Sequence, residues 1–150
     1  MPSQQKWGAL NAARTLITGS SLNSLANGAR VLGTSVNPTT DRYTLAYLWL
    51  TLGLAANASG APYVNVWFLK STDGGTTFED GDATTAPPRP ADYVFNVQTG
   101  VTAAKVYGQG RDVIEFPAVH FKVCIENQTG QAFAASGNTL VSVEVNPEAQ

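Results

Sequence analysis

The chain has 150 residues and a mass of 15.8 kDa, a length that suits one domain with a real hydrophobic core. Hydrophobic residues make up 43% of it, which excludes wholesale disorder, while charged residues reach only 13%, about half the ordinary share of roughly 25%. A formal net charge of −2 argues against a nucleic-acid binder, and the single Cys and single His exclude an intrachain disulfide framework and a metal site built on several Cys or His.

Residues 1–12 are polar around one aromatic anchor, Trp7, and read as an N-terminal arm ahead of a single domain over 13–150. The opening residues lack the basic-then-apolar pattern of a signal peptide. Arg14 to Thr18 is a short predicted strand. Ser20 to Ala29, with Leu22 and Leu25 among Asn, Ser and Gly, fits either a helical turn or an irregular strand. Ala29 to Val36 is another short strand, closed by Asn37-Pro38. Arg42 to Leu54 carries the strongest strand signal. Tyr43, Leu45, Tyr47 and Trp49 fall on one face, and Ala46, Leu48, Leu50 and Leu52 on the other. With both faces apolar, this strand is either central in its sheet or turns one face to another protein. Residues 43–69 are uncharged, but Asn57, Ser59, Gly60, Pro62 and Asn65 interrupt them. The densest apolar part, Leu45 to Ala56, falls short of the ~20 residues of a spanning helix, so no membrane partner is expected.

After a turn at Ala58 to Pro62, Tyr63 to Lys70 is the next strand. Ser71, Asp73, Gly75, Thr77 and Phe78 then spell the Asp-box pattern, S-x-D-x-G-x-T-aromatic. The physics is that of a hairpin turn: Asp73 accepts from nearby N–H groups, Gly74-Gly75 supply positive φ, and Phe78 tucks beneath. The box resembles the hairpins of sialidases, but one copy in a short chain cannot make their propeller, and a structural turn is the reading. Glu79 to Pro90 is a loop, because Pro87, Pro88 and Pro90 withhold backbone donors. Tyr93 to Val97, Val101 to Tyr107 and Val113 to Phe116 are short strands. Gly108-Gln109-Gly110 between them lacks the Lys and helix of a phosphate loop. Val119 to Glu126 alternates, with Val119, Phe121, Val123 and Ile125 inward. Thr139 to Val145 alternates too, and its predicted inward set is Val141, Val143 and Val145. Many short strands with frequent turns and no long helix predict an all-β antiparallel sandwich of jelly-roll type, about eight strands.

Residues that bear chemistry are few. Asp73, Glu79, Asp80 and Asp82 cluster, either as a solvated acidic loop or as oxygen ligands for Ca²⁺, though not at EF-hand spacing. His120 and Cys124 share a strand face but stand ~13 Å apart, too far for a nucleophile and its base. Glu115 with Glu126, or Asp92 with Asp112, would make a glycosidase dyad only if the fold joined them. No enzyme, cofactor or metal is expected on this basis. Trp7, Trp49, Trp67 and the tyrosines suit either core packing or a sugar platform. Charge is uneven: residues 1–70 hold one acid, Asp41, against five basic residues, and the acids concentrate beyond them.

The chain as a whole has a family look. It runs from a polar arm to the strand Tyr43-Thr44-Leu45-Ala46-Tyr47-Leu48-Trp49-Leu50, then to Val66-Trp67-Phe68-Leu69-Lys70 and the Asp box. It ends through Phe116-Pro117-Ala118-Val119-His120-Phe121 and a Val-rich strand. This resembles small virion proteins of tailed bacteriophages, especially jelly-roll cement (decoration) proteins that clamp capsid shells. The resemblance implies a structural virion protein on the capsid surface, assembled in the host cytoplasm. Its partners would be the major capsid protein and copies of itself, a dimer being favoured. The alternative is a carbohydrate-binding jelly-roll module on a head fibre or tail. Trp7, Tyr43, Tyr47 and Trp49 are the interface candidates.

Overall fold

Apolar residues alternating along short segments build two antiparallel sheets that face each other. The computed structural model describes residues 6–7, 12–38, 45–79, 81–108, 113–145 and 147–148. The strands are β1 (Lys6–Trp7), β2 (Arg14–Ile17), β3 (Arg30–Leu32), β4 (Leu45–Leu52), β5 (Tyr63–Ser71), β6 (Tyr93–Asn96), β7 (Lys105–Tyr107), β8 (Val113–Glu115), β9 (His120–Gln128), β10 (Thr139–Val145) and β11 (Pro147–Glu148). One sheet runs β2-β10-β4-β7, with β8 also pairing β4; the other runs β3-β9-β5-β6. All these pairings are antiparallel, so the fold is a β-sandwich. The segment with two sequence readings, Ser20 to Ala29, begins inside a single helical turn, α1 (Gly19–Leu22), that buries Leu22.

The core lies between the sheets. Ala46, Leu48, Leu50 and Leu52 from β4 meet Val64, Val66 and Phe68 from β5 and Phe121, Val123 and Ile125 from β9. At one end Phe68, Phe116 and Phe121 pack with ring centroids 5.1–5.6 Å apart, in the edge-on and tilted contacts that aromatic quadrupoles favour. Of the two readings of its apolar faces, β4 meets the first and is central: β10 pairs one side and β7 and β8 the other.

β10 corrects the sequence reading. Paired residues share a face, and Leu140, Ser142 and Glu144 lie opposite Leu50, Leu48 and Ala46. These three therefore face the core, while Val141, Val143 and Val145 join Trp49, Tyr47 and Leu45 on the outer face. Val143 and Val145 are buried, but on that outer side. The polar inward residues are tolerated because Arg14, from β2, forms an ion pair with Glu144 and donates to its carboxylate at 3.2 Å, and the Ser142 hydroxyl donates to the same carboxylate.

Two glycines close opposite sides of the sandwich. A Cβ on Gly33 would lie 2.4 Å from the Leu16 carbonyl, so β2 and the chain after β3 touch backbone to backbone. A Cβ on Gly108 would meet both the Leu48 carbonyl and the Phe95 ring at 2.6 Å, and its φ of +80° is itself a glycine conformation. The predicted arm does not stand wholly free: the backbone of Lys6–Trp7 pairs with Pro147–Glu148 of the same chain. The Trp7 side chain and all of Tyr43 lie outside the described residues.

Candidate binding surface

The two outer faces of the sandwich are finished differently. On the β2-β10-β4-β7 sheet, the register sets Leu45, Tyr47 and Trp49 beside Val141, Val143 and Val145. Val113 lies opposite Tyr47, and Val106 opposite Thr51. Val106 is 50% exposed and Val113 37%, while Leu45, Tyr47, Trp49 and Val141 are half-buried. Glu115 is the one charged residue that the pairing places on this face among the described residues. The Trp49 indole N–H is buried there without a hydrogen-bond partner, which costs free energy in the isolated chain. Of the four predicted interface residues, the structure thus brings Tyr47 and Trp49 onto one apolar face. Val106 and Val113 escaped the sequence reading, because a three-residue strand shows too little alternation to assign its faces.

The outer face of the β3-β9-β5-β6 sheet is covered over Trp67, Leu69 and Cys124, while Tyr63 and Val94 on it stay exposed. Trp67, Leu69 and Cys124 form a small second core with Leu32, Phe78 and Ala91. Residues 81–91 cross above it, and the Trp67 indole N–H donates to the Arg89 carbonyl at 3.1 Å. A sugar platform of Trp67 with Tyr63 is therefore not presented: Trp67 is 4% exposed and Tyr63 37%. Arg30 and Glu126 form an ion pair beside it, and Glu126 also accepts from the Asn65 amide at 2.9 Å.

The Asp box is the turn its sequence describes. Asp73 accepts from the Thr76 and Thr77 amides, the Thr77 hydroxyl at 2.6 Å and the Ser71 hydroxyl at 2.7 Å. The Ser71 hydroxyl accepts in turn from the Gly75 amide. Gly74 and Gly75 take φ of +75° and +89°. Phe78 packs at the edge of the Trp67 cluster with the Lys122 ammonium 4.3 Å above its ring. Hydroxyl bonds from Thr77 and then Ser71 hold the Asp73 carboxyl far below the usual carboxylate range.

The remaining candidates are kept apart. Glu79 bonds Arg89, and Asp82 caps its own turn through the Thr84 and Thr85 amides, so these two and Asp73 serve three different local structures. Asp80 and Asp112 lie outside the described residues. Among the described residues no group of His, Cys, Asp and Glu is arranged to hold a metal ion. Glu115 and Glu126 face outward from opposite sheets, with the core between them, which separates that dyad. Asp92 accepts from the Phe68 amide and from Arg89. Cys124 is fully buried, and burial pushes its thiol up to about 11, the reverse of an activated nucleophile. A cleft of about 560 Å³ opens between β5 and β8, lined by Phe68, Lys70, Asp92, Ile114, Phe116 and Val119 among others. Comparison with family models, with curated proteins and with solved structures finds no match to this chain.

Proposed function

We propose that the chain is a structural virion protein of a tailed phage, a cement protein of jelly-roll topology that binds the capsid shell and stabilises it. The strand orders support the topology. β7 and β8 share one place beside β4, which leaves four places in each sheet, and successive strands from β2 to β5 alternate between the sheets, as they do in a jelly roll. The observation that carries the function is the outer face of β4 and β10. Its apolar residues, with Val106 and Val113 exposed and Glu115 as its described charge, suit a surface meant to be buried against another protein. The partners are the major capsid protein and a second copy of the chain, without nucleic acid, membrane or cofactor, and no reaction is assigned to it.

A cement protein acts by mass action: it binds the assembled shell and not the free subunits, so it raises shell stability by linkage. Repetition over many equivalent sites multiplies the effect. The test is to heat particles with and without the protein. Decorated shells should lose their contents at higher temperature; equal midpoints would overturn the reading. The carbohydrate-binding alternative rests on exposed Tyr63 without Trp67, and a glycan array with and without Ca²⁺ is its test.

A further inference from the structure

The covering of the second outer face has its own construction. Residues 81–91 belong to no strand, yet they bury Trp67 and Cys124 on the outside of the sheet. The segment holds its own shape: Asp82 accepts from the Thr84 and Thr85 amides and the Thr84 hydroxyl, and the Asp82 amide donates to the Thr85 carbonyl. Gly81, at φ +129°, packs so closely on Pro87 that a Cβ would stand 2.7 Å from its ring.

Beside the apolar contact of Ala91 and the buried Pro87, its attachments to the sandwich are polar, and most converge on Arg89. That guanidinium donates to the Phe68 carbonyl at 2.9 Å, to Asp92 at 2.6 Å and to Glu79 at 3.2 Å. The Arg89 carbonyl receives the Trp67 indole, and at the far end Arg30 donates to the Thr84 carbonyl at 3.2 Å. These bonds also finish β5, whose residues beyond Val66 have no strand neighbour on the β6 side among the described residues. The apolar cluster beneath is separate from the main core between the sheets. None of these attachments is a strand pairing, and no residue of 81–91 belongs to the main core.

We propose that residues 81–91 form a strap, latched by Arg89, that lifts off the outer face as a unit while the sandwich stays folded, uncovering Trp67, Leu69 and Cys124. Opening would add these three side chains to the apolar residues already exposed, Val106 and Val113 on the first face and Val94 on this one. Local opening of this kind is the ordinary behaviour of segments held by few apolar contacts. The inference does not depend on the virion reading.

Cys124 is the chain's one cysteine and lies under the strap, with its Sγ 3.9 Å from the Asp82 carbonyl, so it reports opening directly. The experiment measures labelling of the full chain by a thiol reagent, Ellman's reagent, across a urea series, beside global unfolding followed by far-UV circular dichroism. Labelling in native buffer should exceed the rate allowed by global unfolding by roughly 100-fold or more, and should depend only weakly on urea, since little surface is exposed. Arg89→Ala should speed native labelling by about tenfold or more, as expected for losing charge-assisted bonds. The global midpoint should move little. Labelling of the unaltered chain that follows global unfolding in rate and urea dependence overturns the strap. Should Arg89→Ala not fold, the unaltered chain alone decides that point, and Asp92→Ala, which removes one partner of the latch, tests Arg89. Unchanged native labelling in a folded latch variant overturns its role.

Discussion

At the scale of single residues, the positions that matter most are those where a short side chain or none is required. Asp73 is bonded by four neighbouring groups, the Thr77 hydroxyl foremost, and its carboxyl titrates well below 3.8. A carboxyl depressed in the folded state contributes stability above its unfolded value, and that stability is lost as pH falls. The thermal midpoint should therefore drop below about pH 4, and Asp73→Asn should show a flatter acid limb, measured by calorimetry from about pH 6 to about pH 2. Gly33 is a different case. Its φ needs no glycine, but a Cβ has no room against the Leu16 carbonyl. Gly33→Ala should cost about 1–3 kcal/mol, the usual range for overpacking, read as a lowered urea midpoint. The first of these was legible, because the Asp box is a local pattern whose turn chemistry is complete within eight residues. The second was not, since Leu16 and Gly33 are brought together only by the meeting of β2 with the chain after β3.

At the scale of the elements, β4 shows what alternation can and cannot decide. Its two faces were separable from the sequence, and the face carrying Ala46, Leu48, Leu50 and Leu52 is indeed the core. β10 misled because its valines alternate with Ser142 and Glu144, and apolar residues are normally read as inward. Pairing with β4 fixes its register, and Arg14 supplies the charge that lets Glu144 stay inside. A similar pair spans the outer face of β3 and β9, where Arg30 holds Glu126 with most of both side chains out of water. Removing one member of a fully buried pair costs about 3–5 kcal/mol. Because 19% of the Arg30 side chain reaches solvent, Glu126→Ala should cost less, about 2 kcal/mol, measured by urea unfolding. Loss of the Asn65 partner adds to the same effect.

At the scale of the whole molecule, the predictions concern what the sandwich can lose and what its outer face does. Deleting residues 1–8 removes β1, whose described pairing is with β11 alone. The truncated chain should still unfold cooperatively, checked by circular dichroism, while binding to shells weakens, checked by cosedimentation. Val106→Lys with Val113→Lys places two charges on the exposed apolar face. Such surface changes should shift stability by no more than about 0.5 kcal/mol each. If the face is the proposed interface, self-association, followed by sedimentation equilibrium, should nonetheless be lost, because an interface core does not tolerate unpaired charge.

The sequence by itself determined the antiparallel β-sandwich, the two apolar faces of β4, the Asp-box turn and the mostly inward face of β9. Each is local: a period of two, or a turn whose donors and acceptors lie within a few residues. Only the tertiary structure decided which face β10 turns inward, where Gly33 and Gly108 must be glycine, and that Trp67 and Cys124 lie under residues 81–91. It also separated Glu115 from Glu126. These outcomes depend on strand register and on contacts between residues far apart in the chain. A one-residue slip in register exchanges every side chain between core and surface, and nothing in the alternation of a single strand records which partner will set it.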